Sequence, residues 1–465
     1  MNSKSTQYSF DVVMQAVARI SGGILSFVAV FLLTYLFSES DIGYYNIMLS
    51  TLNIITSLSS LWLSQGILRY YEEKKDFSFI MISTLSVITF SLLIVFMSSF
   101  FIELSISAYI YVITLIIYNV LDAVLRKERK LYQYVILELA FSIGRLFPMV
   151  LIAYITHDID SIFISQSIIM LIYLVFLKST TKITKNSQNK FNMIQLKQYL
   201  GYGMPLIGLS VSNWLLVSSD RYLIKYFESD ASVGIYSTIY SLGNSIYMMF
   251  ALIIVNAFHP IIVNTWNINK EETYSLISKV LNYYLLFTLP IVFYGCLKAN
   301  VLLSLFKGNS YAQNDSIFIW TALGIFIYGF SLLYHKYYEL QQKTMMILVF
   351  NLSIAILNIV LNIILIPRYG FPIAAFTTFV SYMSYLIIVR LMTFRAFPVK
   401  LSFKTILLVG AIMLIFFIGD NVIVQSKSII VFFIEGIIFV VYTMLMYQLL
   451  KIFDIRDLLP NHRKK

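Results

Sequence analysis

The chemistry open to this sequence lies in charged side chains set inside long apolar runs: Arg19, Glu138, Arg145, Asp220, Arg221 and Glu435. An ionised group near the middle of a bilayer costs about 2.5–3.5 kcal/mol on insertion scales, so each must face a partner, a polar cavity or the headgroups. Arg19 stands in the cytoplasmic half of the first run. Its guanidinium suits bidentate binding of a phosphate or an acidic sugar; the alternative is snorkelling past Gln15 to the inner headgroups. Glu138 and Arg145 are separated by about 700° of helix rotation and share one face, two turns apart. They form either a cavity-facing polar stripe or members of buried interhelical ion pairs. Asp220 and Arg221 are adjacent near the outer end of a run and point about 100° apart. Arg221 fits an anion released outward or a headgroup anchor. Asp220 fits a coupling cation or proton, or a structural role at a helix end. Glu435 is a second coupling candidate, whereas Asp122, Lys279 and Glu339 lie near run ends and read as interface anchors.

Enzymatic chemistry finds little support. His157, His259, His335 and His462 lie in different segments without metal-ligand spacing, and no G-x-x-x-x-G-K-[ST] phosphate loop occurs. No catalytic residue, metal or cofactor is expected. Cys296 is the one cysteine, so no internal disulfide forms. Gly201, Gly203 and Pro205 open another run; they mark a hinge or a site of close helix packing.

The elements that position these groups must be membrane helices. The 465 residues are 59% hydrophobic and 12% charged, against about 25% charged in a soluble domain. Apolar runs of spanning length fall at 10–36, 42–67, 78–101, 105–124, 131–155, 160–177, 199–222, 232–257, 278–303, 317–338, 344–366, 371–394, 405–424 and 428–450. The first run reads as a retained span rather than a cleaved signal. With a cytoplasmic N-terminus, 26 of the 34 Lys and Arg lie inside and 6 outside, with Arg19 and Arg145 within runs. That asymmetry places both termini in the cytoplasm. The net charge of +11 thus reflects topology and anionic lipid, not a nucleic-acid partner.

A shift of 191 residues aligns Tyr35 with Tyr226, Glu39 with Asp230, Ile42 with Val233, Gly43 with Gly234, Tyr45 with Tyr236, Ser50 with Ser241, Asn53 with Asn244 and Ile55 with Ile246. The aligned spans run in the same direction, so the repeat is parallel. The expected fold is an all-α integral membrane protein of about fourteen transmembrane helices: two six-helix lobes around a central cavity, plus two extra C-terminal helices. The lobes are 1–198 and 199–396; spans thirteen and fourteen and a cytoplasmic tail occupy 397–465. The polar stretch 178–198 is the linker between lobes.

Two passages carry a family likeness: Tyr202-Gly203-Met204-Pro205-Leu206-Ile207 running through Asn213-Trp214 and Ser218-Ser219-Asp220-Arg221-Tyr222 to Val233-Gly234-Ile235-Tyr236, and Leu361-Asn362 through Pro367-Arg368-Tyr369-Gly370 to Ala374-Ala375. A basic turn from Arg126 to Lys130 adds to them. With the fourteen runs, the chain resembles the Wzx-type polysaccharide transporters of the MATE-like flippase superfamily over essentially its whole length. The resemblance implies a bacterial inner-membrane flippase that moves an undecaprenyl-pyrophosphate-linked oligosaccharide unit from the cytoplasmic to the outer leaflet, for O-antigen, capsule or exopolysaccharide assembly. It makes Arg19, Arg145, Arg221 and Glu138 substrate-binding candidates, membrane lipids its surroundings and a polysaccharide polymerase a candidate partner. Competing classes are a membrane enzyme of polysaccharide assembly, which needs a larger catalytic outer loop, and a drug/cation antiporter, which needs a more acidic lumen.

Overall fold

The computed structural model describes residues 28–72, 77–100, 104–128, 149–180, 193–422 and 429–450, together with Gln133 and Ile136. Arg19, Glu138 and Arg145 lie outside the described residues, as do most of the first and fifth apolar runs. Among the described residues there is no strand. Ten helices are long and apolar enough to cross a membrane, and the shorter apolar helices Ser161–Val175 and Phe403–Gly419 join them. Helical residues 28–36 and 149–156 belong to the first and fifth runs. The expected all-α, multi-pass membrane fold is therefore the one observed.

Helix ends follow local chemistry. Ser38 caps the Glu39–Tyr70 helix in a reciprocal box with Asp41: its Oγ accepts from the Asp41 amide, and the Asp41 carboxylate accepts from the Ser38 amide, both at 3.2 Å. Asn269 caps the Lys270–Leu297 helix by accepting from the amides of Glu271 and Glu272. The Thr344–Tyr369 helix stops at Gly370, whose φ of +79° is the left-handed turn only glycine adopts freely. That turn is the physical content of the Pro367-Arg368-Tyr369-Gly370 motif.

Two boundaries differ from the sequence expectation. The Met193–Phe227 helix begins inside the expected 178–198 linker, because Leu196, Tyr199 and Leu200 extend its apolar face toward the N-terminal end. The run 278–303 is broken at Lys298, where the Lys270–Leu297 helix gives way to the short Ala299–Leu303 helix. Large side chains such as Leu93, Phe96, Ile172, Val175, Phe433 and Ile437 are more than half exposed. In water this would be an aggregating surface; in lipid it is the matching one. Serines and threonines return their hydroxyls to the preceding turn, as Thr56 does to Leu52 and Ser60 to Thr56 at 2.8 Å. Those groups need no water, and their small size lets helices approach.

The helices pack as two compact units, 1–238 with 344–374 and 239–343 with 375–465. This division follows packing and is separate from the division by repeat. In the first unit the Glu39–Tyr70 helix packs on Phe77–Ser98, Ile106–Lys127 and Met193–Phe227, and the last of these also packs on Thr344–Tyr369. In the second, Lys270–Leu297 packs on Asp315–Tyr334 and on both C-terminal helices, Phe403–Val422 and Ile429–Leu449. Tyr294 and Tyr447 fasten that edge, their hydroxyls donating to the carbonyls of Phe432 at 2.5 Å and Leu286 at 2.8 Å.

Candidate functional site

The repeat converges on one place in the first unit. The Glu39–Tyr70 and Asp230–Ile268 helices start 191 residues apart, each after a serine, Ser38 and Ser229. The two starts touch reciprocally. A Cβ on Gly43 would land on the carbonyl of Asp230, and one on Gly234 would land on the carbonyl of Glu39. Glu39 and Asp230, like Gly43 and Gly234, are repeat partners. A contact that maps onto itself when the copies are exchanged is the mark of a two-fold relation. The positive-inside expectation would place this junction at the outer face.

Polar bonds reinforce the junction. Arg221 Nη1 donates to Ser50 Oγ at 2.7 Å. Trp214 Nε1 donates to the Ser50 carbonyl at 3.0 Å, the hydroxyls of Tyr222 and Thr51 lie 2.7 Å apart, and Lys225 pairs with Asp230 at 2.9 Å. Arg221 therefore ties helices from the two halves of the repeat. A hydrogen bond from a charged group contributes about 1.5–3 kcal/mol. If Arg221 acts as this latch, Ser50→Ala should lower the thermal unfolding midpoint of the purified protein in the same direction as Arg221→Ala. A lower midpoint with Arg221→Ala and an unchanged one with Ser50→Ala would remove this bond from the packing of the two helices.

One residue away, Asp220 is 0% exposed. Tyr236 donates its hydroxyl to Asp220 Oδ2 at 2.5 Å, and Asn362 Nδ2 donates to Oδ1 at 2.7 Å. Asn362 Nδ2 also lies 3.2 Å from Asn358 Oδ1, and both asparagines are fully buried. A carboxylate in such a place stays charged only through donors or a cation. The oxygens of Asp220 and Asn358 are hard donors suited to a proton or a small hard cation. Three helices, Met193–Phe227, Asp230–Ile268 and Thr344–Tyr369, supply the group. As a candidate the sequence singled out Asp220; it gave Asn362 and Ser50 only as members of the family motif and the repeat, and Asn358 not at all. The i, i+4 spacing of Asn358 and Asn362 within the apolar stretch 354–366 was the available signal.

The remaining candidates separate. Gly203 faces the Trp62 backbone, where a Cβ would overlap it, whereas Gly201 has open space around it. Pro205 sits inside an unbroken helix. Glu435 pairs with Lys298 at 2.9 Å in the second unit, the side chains 18% and 10% exposed. A pair of this kind loses most when one member is removed and the other charge stays in place. Glu435→Ala should lower the thermal unfolding midpoint of the purified protein more than Glu435→Gln, which keeps an acceptor for Lys298. Equal midpoints would remove the pair from the stability of this edge.

Two histidines meet where their spacing gave no hint. His335 bonds to the Tyr385 hydroxyl through Nδ1 at 2.8 Å and to Glu339 Oε1 through Nε2 at 3.1 Å. Lys336 pairs with Glu339 and lies 3.1 Å from His259 Nδ1. Glu339, expected as an interface anchor, is held inside this network. No set of three metal-ligating His, Cys, Asp or Glu occurs among the described residues. The second unit also carries an apolar groove of about 840 Å³ lined by Phe250, Leu286, Phe287, Phe432, Phe433 and Val440.

The family described as "Polysaccharide biosynthesis protein" matches residues 32–315. No curated protein matches the chain. Among solved structures, the lipid II flippase MurJ in an inward closed conformation superimposes with a TM-score of 0.74 at 16% identity, over 97% of this chain and 99% of that one. An inward-facing multidrug-resistance MATE family transporter of the MOP superfamily gives 0.60 at 12% identity, over 82% and 98%. A Vibrio cholerae MATE transporter gives 0.54 at 11%, over 86% and 99%. Identities this low establish a common fold.

Proposed function

The chain belongs to the polysaccharide biosynthesis protein family, and on that footing we propose that it is a lipid-linked oligosaccharide flippase rather than an enzyme. It moves an undecaprenyl-pyrophosphate-linked repeat unit from the cytoplasmic to the outer leaflet of a bacterial cell membrane, supplying O-antigen, capsule or exopolysaccharide assembly. Both termini are cytoplasmic. Alternating access between the repeat halves 1–198 and 199–396 carries the sugar across.

The reciprocal Gly43–Gly234 junction gives this reading its main support. Sugar hydroxyls and a pyrophosphate cannot pass through hydrocarbon without a polar route. A route that is safe for the membrane must be shut on one side while it loads from the other. On this reading the close backbone contact and the Arg221 bond to Ser50 shut the outer ends of the repeat copies, and both can be undone without breaking a helix. The prenyl chain stays in an apolar medium, since moving it into water would be prohibitive; the groove in the second unit offers it such a surface. Asp220 with Asn358 and Asn362 takes the coupling proton or cation, with Glu435 a further candidate. Gly201, Gly203 and Pro205 serve as the hinge. Arg19, Arg145 and Glu138 complete the anion path.

Deleting the gene should abolish surface polysaccharide and accumulate the lipid-linked unit in the cytoplasmic leaflet. Restoration by the wild-type chain, and not by Arg19→Ala or Arg145→Ala at equal protein level, supports the assigned route. Unchanged polysaccharide in the deletion, with raised drug sensitivity instead, would transfer the chain to the antiporter class.

A further inference from the structure

We propose that the groove between the Glu39–Tyr70, Phe77–Ser98 and Met193–Phe227 helices holds an acyl chain of an inner-leaflet anionic phospholipid, whose phosphate is seated on Arg69. The groove measures about 590 Å³ and is walled by Leu58, Trp62, Phe90, Leu200 and Met204. Its lining asks for a hydrocarbon chain. Ser83, 2% exposed, lines the same groove, and its hydroxyl has no hydrogen-bond partner among the described residues. A buried hydroxyl left so costs stability, and an ester group on the occupant would satisfy it.

Charge selects the headgroup. Arg69 lies seven residues beyond Trp62 on the same helix, about 10 Å along the axis, at the end that the topology places in the cytoplasm. The side chain is exposed, with its guanidinium 4.4 Å from the Tyr202 ring centre and 5.5 Å from that of Tyr70. Stacking fixes the plane and leaves the N–H edge for a phosphate. Arg69 makes no ion pair among the described residues. Lys197, exposed between the groove residues Leu196 and Leu200, adds a second cation to the rim. Lys127, donating to the carbonyls of Leu68 and Arg69 at 3.1 and 2.9 Å, adds a third while holding that helix end. At about 590 Å³ the groove is smaller than the 840 Å³ groove proposed for the prenyl chain, and it lies within the about 300–1,000 Å³ that holds one small ligand. The site lies in the first unit, apart from the 840 Å³ groove of the second, and does not depend on the proposed substrate.

The test is native mass spectrometry of the full-length protein in detergent, with phosphatidylglycerol and phosphatidylcholine titrated separately. The wild type should retain the anionic lipid about fivefold better, the increment for one arginine near an anionic surface. Arg69→Gln should lower that ratio severalfold with an unchanged unfolding midpoint, Lys197 and Lys127 holding the remainder. Ser86→Trp or Met204→Trp, at exposed positions lining the groove, should reduce retention of both lipids. Equal retention of the two lipids by the wild type, or a preference left undiminished by Arg69→Gln, or retention unchanged in both tryptophan variants, overturns the proposal. Displacement of phosphatidylglycerol by undecaprenyl pyrophosphate, lost in the same variants, also overturns it and gives the groove to the substrate.

Discussion

Asp220→Asn should cut surface polysaccharide about a hundredfold while the protein stays in the membrane at the wild-type level, as read by quantitative polysaccharide blotting beside a protein blot. Couplings between two sites are worth about 1–3 kcal/mol, or roughly 5–150-fold, and the coupling proposed for Asp220 is expected near the upper end because the charge itself is removed. The geometry is equally unforgiving. Both Asp220 oxygens accept, one from Tyr236 and one from Asn362. An amide at this position either faces the Asn362 amide donor to donor or donates to the Tyr236 hydroxyl, which then loses its acceptor. Rotating the Asn362 amide to compensate would end its donation to Asn358. Asp220→Glu keeps the charge but moves it by one methylene, so an intermediate loss is expected. Flux in inverted vesicles should lose its dependence on sodium or pH in Asp220→Asn, and whichever dependence vanishes identifies the coupling ion. Wild-type polysaccharide from Asp220→Asn would reduce the buried carboxylate to a structural role.

The legible part of this molecule was the part written in local composition and spacing. Apolar runs defined the spans because a bilayer accepts only backbone satisfied within its own helix, and the repeat located the Gly43–Gly234 pair because both copies must meet in the same way. Asp220 was legible as a charge in a costly place. Its partners were not, since Asn362 and Tyr236 reach it from helices 142 and 16 residues away, and apolar periodicity does not encode which polar side chains face each other. The same holds for Ser50, an ordinary small residue until Arg221 and Trp214 both bond to it across more than 160 residues of sequence. His259 and His335 failed every local spacing rule and still share one network through Lys336 and Glu339.

Gly43→Ala should open the outer junction. The new Cβ falls on the Asp230 carbonyl, a backbone atom that cannot swing aside as a side chain would, so the two helix starts must separate. Overpacking of this sort costs about 1–3 kcal/mol, which moves a two-state equilibrium by roughly 5–150-fold. Ile47 is the reporter, being 3% exposed, with its carbonyl 3.5 Å from the Tyr222 hydroxyl. In an Ile47→Cys, Cys296→Ser background, an impermeant thiol reagent added outside should label Gly43→Ala at least about tenfold faster than its parent. Gly234→Ala should do the same, because its Cβ meets the Glu39 carbonyl in the mirror contact. The double variant should add less than the two singles together, since one separation relieves both clashes and neighbouring sites are not additive. Polysaccharide output should fall in all three, because a junction that cannot close leaves the inward-loading state depleted. If labelling in Gly43→Ala matched the parent while the protein remained folded, this contact would not be the closure, and the outer gate would have to be sought elsewhere along the Glu39–Tyr70 helix.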